Sequence, residues 1–266
     1  MSLVKVQKYF SLYLAMFKAS FIADLEYRAN FLTRIATDIF WYAAQITTFE
    51  VLFRHTERIG DWNLQQMRVF LGVIFLMDAL YMILLSDNLD QFSDKVRKGD
   101  LDLLLAKPVN SQFMISLQKA ATAMFGNLLI ALSWFTYSLM QLPDFNWARL
   151  AWLLILVPTG LISLYVIKFG FAATAVVFAR SENLQFVFYQ IYRLGMRPDS
   201  MYFPWLKWML LSVLPVGIIS SVPARFLLEA PNWSLLFWVV GWSVFLLYCS
   251  NRFWKFTLRF YSSASS

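Results

Sequence analysis

Cysteine and histidine are almost missing from this chain, with one of each, Cys249 and His55, in 266 residues. A lone cysteine excludes an internal disulfide, and a lone histidine excludes a metal centre built from several imidazoles within the chain. Charge is scarce too: 15% of the residues are Asp, Glu, Lys or Arg, where soluble domains carry about 25%. No GxxxxGK[ST] run occurs, so the chain has no phosphate-cradling Walker loop of its own. No cleavable leader is expected, because Lys5, Lys8 and Lys18 interrupt the first apolar stretch and no small-residue cleavage site follows it.

What is present is apolar. Hydrophobic residues make up 59% of the chain, against about 45 to 50% in ordinary domains, and several runs reach the roughly 20 residues that cross a hydrocarbon core. This reads as an all-α integral membrane protein forming a single domain over 1–266. It comprises an N-terminal interfacial amphipathic helix over 1–24, a bundle of six transmembrane helices over 30–250, and a cytoplasmic tail over 251–266. Spans are expected at roughly 30–53, 67–85, 113–137, 150–179, 206–228 and 233–250. Between the fourth and fifth, SENLQFVFYQIYRLGMRPDSMYFPW mixes aromatics with Arg193 and Arg197 and reads as an interfacial helix with a turn at Pro198. The fifth span is broken by Pro215, Gly217 and Pro223. Such breaks at membrane depth need protein or a water-filled cavity over the freed backbone groups, so its outer half is expected as two short half-helices that dip into the membrane.

The formal charge of +7 does not point to nucleic acid, because the basic residues cluster beside the spans, where lipid head groups and the positive-inside rule account for them. With both termini cytoplasmic, the inner set is Lys5, Lys8, Lys18, Arg28, Lys95, Arg97, Lys98, Lys107, Arg180, Arg193, Arg197, Arg252, Lys255 and Arg259, against Arg54, Arg58, Arg68, Arg149 and Arg225 outside. That bias sets the topology and puts residues 97–110 in the cytoplasm.

Charges also fall inside the spans. Arg34 and Asp38 lie four apart on the first, Asp78 lies near the middle of the second and Lys168 near the middle of the fourth. A lone charge at the bilayer centre costs at least about 2.5 to 3.5 kcal/mol, so such groups face a bundle interior or a cavity and pair. The sequence therefore predicts a polar cluster of Arg34, Asp38, Asp78 and Lys168, with Asp38 or Asp78 neutralising Lys168. It serves either as a fixed ion pair or as the lining of a path.

The stretch 97-RKGDLDLLLAKPVN-110 is the least membrane-like part of the bundle. Gly99 can stop one helix and Asp100 can cap the next, whose Leu101, Leu104 and Leu105 share a face before Pro108 ends it. A helix of about two turns is not stable alone and needs a surface. A charged turn with Gly, then Leu-Asp, a leucine run and Lys-Pro-Val resembles the permeases of the ABC type-2 exporter family, in the bacterial subgroup of uncharacterised transport permeases. Residues 202–228, YFPWLKWMLLSVLPVGIISSVPARFLL, resemble the aromatic-Pro segment and Pro-rich fifth span of that subgroup.

The resemblance implies a transmembrane permease subunit in a bacterial inner membrane. It pairs with a second permease, identical or homologous, and with cytoplasmic ATP-binding cassette ATPase subunits that bind the ATP and Mg, so this chain itself carries no cofactor. It further implies that Arg97, Lys98, Asp100, Leu101, Asp102, Leu104, Leu105 and Lys107 form the coupling helix that docks on the ATPase. Two other classes compete. An ion-gradient transporter would use the buried Asp38, Asp78 and Lys168 for coupling, but residues 28–140 and 150–255 show no internal repeat. An intramembrane lipid enzyme would need clustered catalytic groups, and the acids here are scattered.

Overall fold

The computed structural model describes residues 3–26, 28–178 and 182–261, and among them the only β pairing is an isolated bridge between Ile59 and Trp62. The side chains of Lys5, Arg28 and Arg180, three members of the expected inner basic set, lie outside those described. α1 (Leu3–Glu26) and α2 (Arg28–Phe53) follow one another almost without a break. As expected, α1 is amphipathic, but its inward face is stitched to the bundle by polar groups. The Tyr9 hydroxyl accepts from Asn110 N, the Ser20 hydroxyl accepts from Ala120 N, and Asp24 accepts from Thr122 and Ala123 N. Phe10, Leu14, Phe21 and Ile22 stay exposed.

The 54–63 loop marks the distal end of the bundle. Gly60 turns it with φ +61°, and Asn63 then starts α3 (Leu64–Tyr81) through a reciprocal capping box with Gln66. α3 is apolar all round and is the central helix, as that pattern requires. It runs on through a π-helical segment, Met82–Ser86, into the single turn α4 (Asp87–Asp90), and then to α5 (Phe92–Lys98) and α6 (Asp100–Leu105) at the proximal end.

The expected third span is interrupted. α7 (Ser111–Leu117) stops short, and a 3-10 turn at Thr122–Met124 precedes α8 (Phe125–Met140). Asn88 covers the gap, its side chain donating to Lys119 O at 2.6 Å and accepting from Lys119 N at 3.0 Å, so the freed peptide groups are satisfied inside the protein. α9 (Leu153–Ala173) returns toward the proximal end.

The next segment corrects the expected layout. α10 (Glu182–Gly195) does not lie across the proximal end of the bundle but climbs along α3. Its Gln185 donates to Asp90 O, its Tyr192 hydroxyl donates to Asp78, and the turn that follows sets Ser200 against Gly60. The segment expected as a broken fifth crossing at 206–228 is bent. α11 (Pro204–Leu211) and the stretch Pro215–Leu228, which ends in α12 (Ser221–Leu228), are bent by 73°, and Lys207 on α11 and Arg225 on α12 both reach Asp199, so the two ends of this bent hairpin meet there. The break falls where expected, around Pro215 and Gly217, and the Ser220 hydroxyl donates to Gly195 O. Pro223 sits in the first turn of α12, a position that needs no intrahelical N–H.

α13 (Trp233–Thr257) closes the bundle against α9. Among the described residues four segments are long and apolar enough to cross a membrane, Leu64–Lys98, Thr122–Met140, Trp147–Val176 and Trp233–Phe260, and the bent pair makes a fifth if it is one span. Trp147, Trp205, Trp208 and Trp233 are exposed at segment ends, as amphipathic rings at head-group level should be. Trp254 is different. It is buried, donates to the Ser111 hydroxyl and packs edge-on against Phe92 and Phe169.

Candidate functional site

Three places gather polar groups. The first is the proximal loop. Gly99 adopts φ +81°, a left-handed conformation that suits glycine, and ends α5. Gly99, and not Asp100, occupies the N-cap of α6, while Asp100 and Asp102 stand in its first turn, where carboxylates favour the positive end of the helix dipole. Lys95, Arg97 and Lys98 fill the last turn of α5 at its negative end.

The leucines divide. Leu101 and Leu104 are buried in the core and Leu105 is packed against it, so the expected shared face exists and is turned inward. Leu103, which the sequence reading passed over, is 69% exposed on the opposite side, flanked by the exposed Arg97, Lys98, Asp100 and Lys107. Counting along a 3.6-residue helix from Leu101 and Leu104 puts Leu103 outward. That was the available signal.

The second place lies among the long helices, and its pairing differs from the expectation. Lys168 is 1% exposed and is joined to Asp90, not to Asp38 or Asp78. Its Nζ also lies 4.4 Å from the Phe188 ring centroid and 4.7 Å from that of Tyr189, so a carboxylate and two ring faces hold the ammonium. Arg34 and Lys119 both reach Asp87, at 3.4 and 3.3 Å. The predicted quartet is therefore split. Asp87 and Asp90 take the cations because the helix after Leu85 runs on for several more turns, and a span ended at Leu85 leaves both acids out.

Asp38 and Asp78 keep neutral partners. Asp38 accepts from the Asn127 side chain, and Asp78 accepts from the Tyr192 hydroxyl at 2.9 Å. Both line a cavity of about 680 Å³ between α2, α3 and α10, with Trp41, Phe49, Tyr189 and Met196 in its wall and Arg193 and Arg197 also lining it. A second cavity of about 470 Å³ lies toward the proximal end, lined by Arg34, Asp38, Ser86, Asp87, Asp90 and Gln91 among others. The two share Thr37, Asp38 and Met82. Of the predicted cluster, Arg34, Asp38 and Asp78 thus face cavities, while Lys168 lines neither and ties α9 to α4.

At the distal end a third network locks the hairpin. Asp199 bonds Arg225 at 2.8 Å and Lys207 at 2.9 Å, and Arg225 continues to Glu229 at 2.9 Å. Burial pushes the Asp199 carboxyl up, but the Arg225 and Lys207 hydrogen bonds and charges outweigh it and hold the group below the usual carboxylate range.

A family profile described as ABC-2 family transporter protein matches residues 39–265. The chain belongs to the ABC-2 transporter family. It is a multi-pass membrane protein and an ABC-transporter permease, and membership implies work with a cytoplasmic ATP-binding cassette ATPase subunit. No curated protein and no solved structure matches it significantly. In this ABC-2 permease the match includes the 97–110 loop and the distal hairpin, and it begins after the whole of α1 and the first part of α2, so Arg34, Thr37 and Asp38 of the cavity linings lie outside it.

Proposed function

We propose that this ABC-2 permease is the membrane subunit of an ATP-driven exporter in a bacterial inner membrane. It works with a second permease, identical or homologous, and with ATPase subunits that bind ATP and Mg. Six crossings are assigned to α2, α3 through α5, α7 with α8, α9, α10 and α13, with both termini and the 97–110 loop cytoplasmic. α11 and α12 form a hairpin that dips in from the far side. The assignment of α10 as a crossing rests on its course along α3 from Asp90 to the turn beside Gly60.

The observation that carries the coupling role is the two-sided α6. Leu101 and Leu104 fasten it to the core while Leu103 projects from it, between the exposed Arg97 and Lys98 of α5 and Lys107 beyond its end. A push on such a helix is transmitted to α5 and on to the α3–α4 column that borders both cavities. The two cavities meeting at Asp38 then serve as the inner and outer parts of the cargo route.

Co-purification tests this reading. Leu103→Asp should leave the permease folded and inserted but strip off the ATPase subunit. Retention of the ATPase at the wild-type ratio in that variant would defeat the docking assignment.

A further inference from the structure

We propose that the 680 Å³ cavity between α2, α3 and α10 binds a bulky lipophilic cation, held between Asp38 and Asp78 against aromatic walls. The proposal rests on the reading of that cavity as part of the cargo route and adds the chemical class of the cargo.

The argument begins with uncompensated acids. Among the described residues Asp87, Asp90 and Asp199 each have a cation within 4.0 Å, whereas Asp38 and Asp78 have none. Asp78 is only 7% exposed, its Oδ1 takes the Tyr192 hydroxyl, and no described residue donates to its Oδ2. Arg34 stands one turn from Asp38 but sends its guanidinium to Asp87. A carboxylate withdrawn from water and lacking a cation is destabilised unless a positive charge arrives.

The protein already contains a filled version of such a site. On the neighbouring side of α10, Lys168 places its ammonium against one carboxylate, Asp90, and over the rings of Phe188 and Tyr189. The cavity repeats these components, two carboxylates with Trp41, Phe49, Tyr189 and Tyr192, but among the described residues no Lys or Arg forms an ion pair with its acids. Carboxylates with aromatic faces are the standard chemistry for organic ammonium and similar cations. The volume falls within the range of about 300 to 1,000 Å³ typical of small-molecule sites, which suits an organic ion and is far too large for a bare metal ion.

Arg193 and Arg197 also line the cavity, but both are exposed, Arg193 on the face of α10 away from the buried Phe188 and Arg197 just beyond the end of that helix. An interaction at the buried acids, where the effective dielectric constant is about 20, is about four times stronger than the same interaction in water. The acids therefore decide what binds. The two arginines lie toward the distal end of α10, where they oppose re-entry of a released cation.

The test uses two ions of nearly the same shape and opposite charge. Purified permease in neutral detergent is dialysed to equilibrium against labelled tetraphenylphosphonium and, in a separate cell because the two ions precipitate together, against labelled tetraphenylborate. One saturable site per chain is expected for the phosphonium and none for the borate. Asp78→Asn and Asp38→Asn should each weaken phosphonium binding about tenfold, and Arg193→Gln should change it less than twofold. Trp41→Leu provides a second variant that leaves both acids in place and should also weaken binding. Saturable binding of tetraphenylborate with equal affinity, absence of a saturable phosphonium site on the wild-type protein, or wild-type affinity in both Asn variants overturns the proposal. The comparison of the two ions on wild-type protein decides even where a variant misfolds. Because no ATPase is needed, failure here leaves the docking result for Leu103→Asp intact, and failure there leaves this measurement intact.

Discussion

Lys168 on α9 is paired with Asp90 at the end of α4. The pair ties two helices that are far apart in sequence, and α10 covers it with Phe188 and Tyr189. Lys168 borders neither of the two cavities, and its pair links α9 to α4 in the proximal half of the bundle.

Lys168→Met should therefore destabilise the protein by about 3 kcal/mol, the low end of the range for stranding one partner of a buried pair, because the Asp90 side chain keeps 27% exposure. The double variant Lys168→Met with Asp90→Asn should recover most of that loss. Thermal unfolding of the four proteins in one detergent measures both, and a double variant no better than the single one would show that the pair is not the cause.

The two faces of α6 should respond oppositely. Leu104→Asp puts a charge into the core and should abolish folded protein, whereas Leu103→Asp changes an exposed residue and should shift stability by less than about 0.5 kcal/mol. Leu101→Ala, which empties a fully buried site, should cost about 2 to 5 kcal/mol. Size-exclusion profiles and melting curves separate these outcomes.

The distal hairpin should loosen in acid. Asp199 has a folded-state pKa below its unfolded value, so its contribution is complete above the unfolded value of about 3.9 and is lost as the pH falls toward the folded one. Hydrogen exchange across residues 204–228 should be slow at neutral pH and accelerate below about pH 4, while Asp199→Asn should already be fast at neutral pH and lack the acid step. An unchanged acid step in Asp199→Asn would assign it to another group.

Gly60 is fixed by two separate demands. Its φ is +61°, and a Cβ there would lie 2.3 Å from Ser200 Oγ and 2.7 Å from Ser200 Cβ. Gly60→Ala should destabilise by more than the 1 to 2 kcal/mol of a left-handed L-residue. Adding Ser200→Gly should remove the clash and leave only the backbone part. Chemical denaturation midpoints of the single and double variants test the division.

Much of the fold was legible along the chain. Apolar runs located the long helices, the Pro215 to Gly217 region located the break, and the alternation of Leu101, Leu103 and Leu104 contained the two faces of α6. Three features escaped the sequence for identifiable reasons. α10 carries Arg193 on its exposed side and Arg197 follows it, so its composition resembles a surface helix although Gln185 and Tyr192 reach Asp90 and Asp78. The bent pair of α11 and α12 has the length of a crossing, and only the meeting of Lys207 and Arg225 at Asp199 brings its two ends together. The gap between α7 and α8 has neither Gly nor Pro to announce it, because Asn88, distant in sequence, satisfies the freed peptide groups.

The sequence by itself determined that this protein lives in a membrane, and its loop at 97–110 already resembled the family's pattern. These follow from composition, which water and lipid read residue by residue. Only the tertiary structure decided which acid meets which base. A buried charge settles on whatever partner the packed helices bring within a few ångströms, so Lys168 found Asp90, Arg34 and Lys119 found Asp87, and Asp38 and Asp78 were left facing a cavity without an ion pair to any described residue.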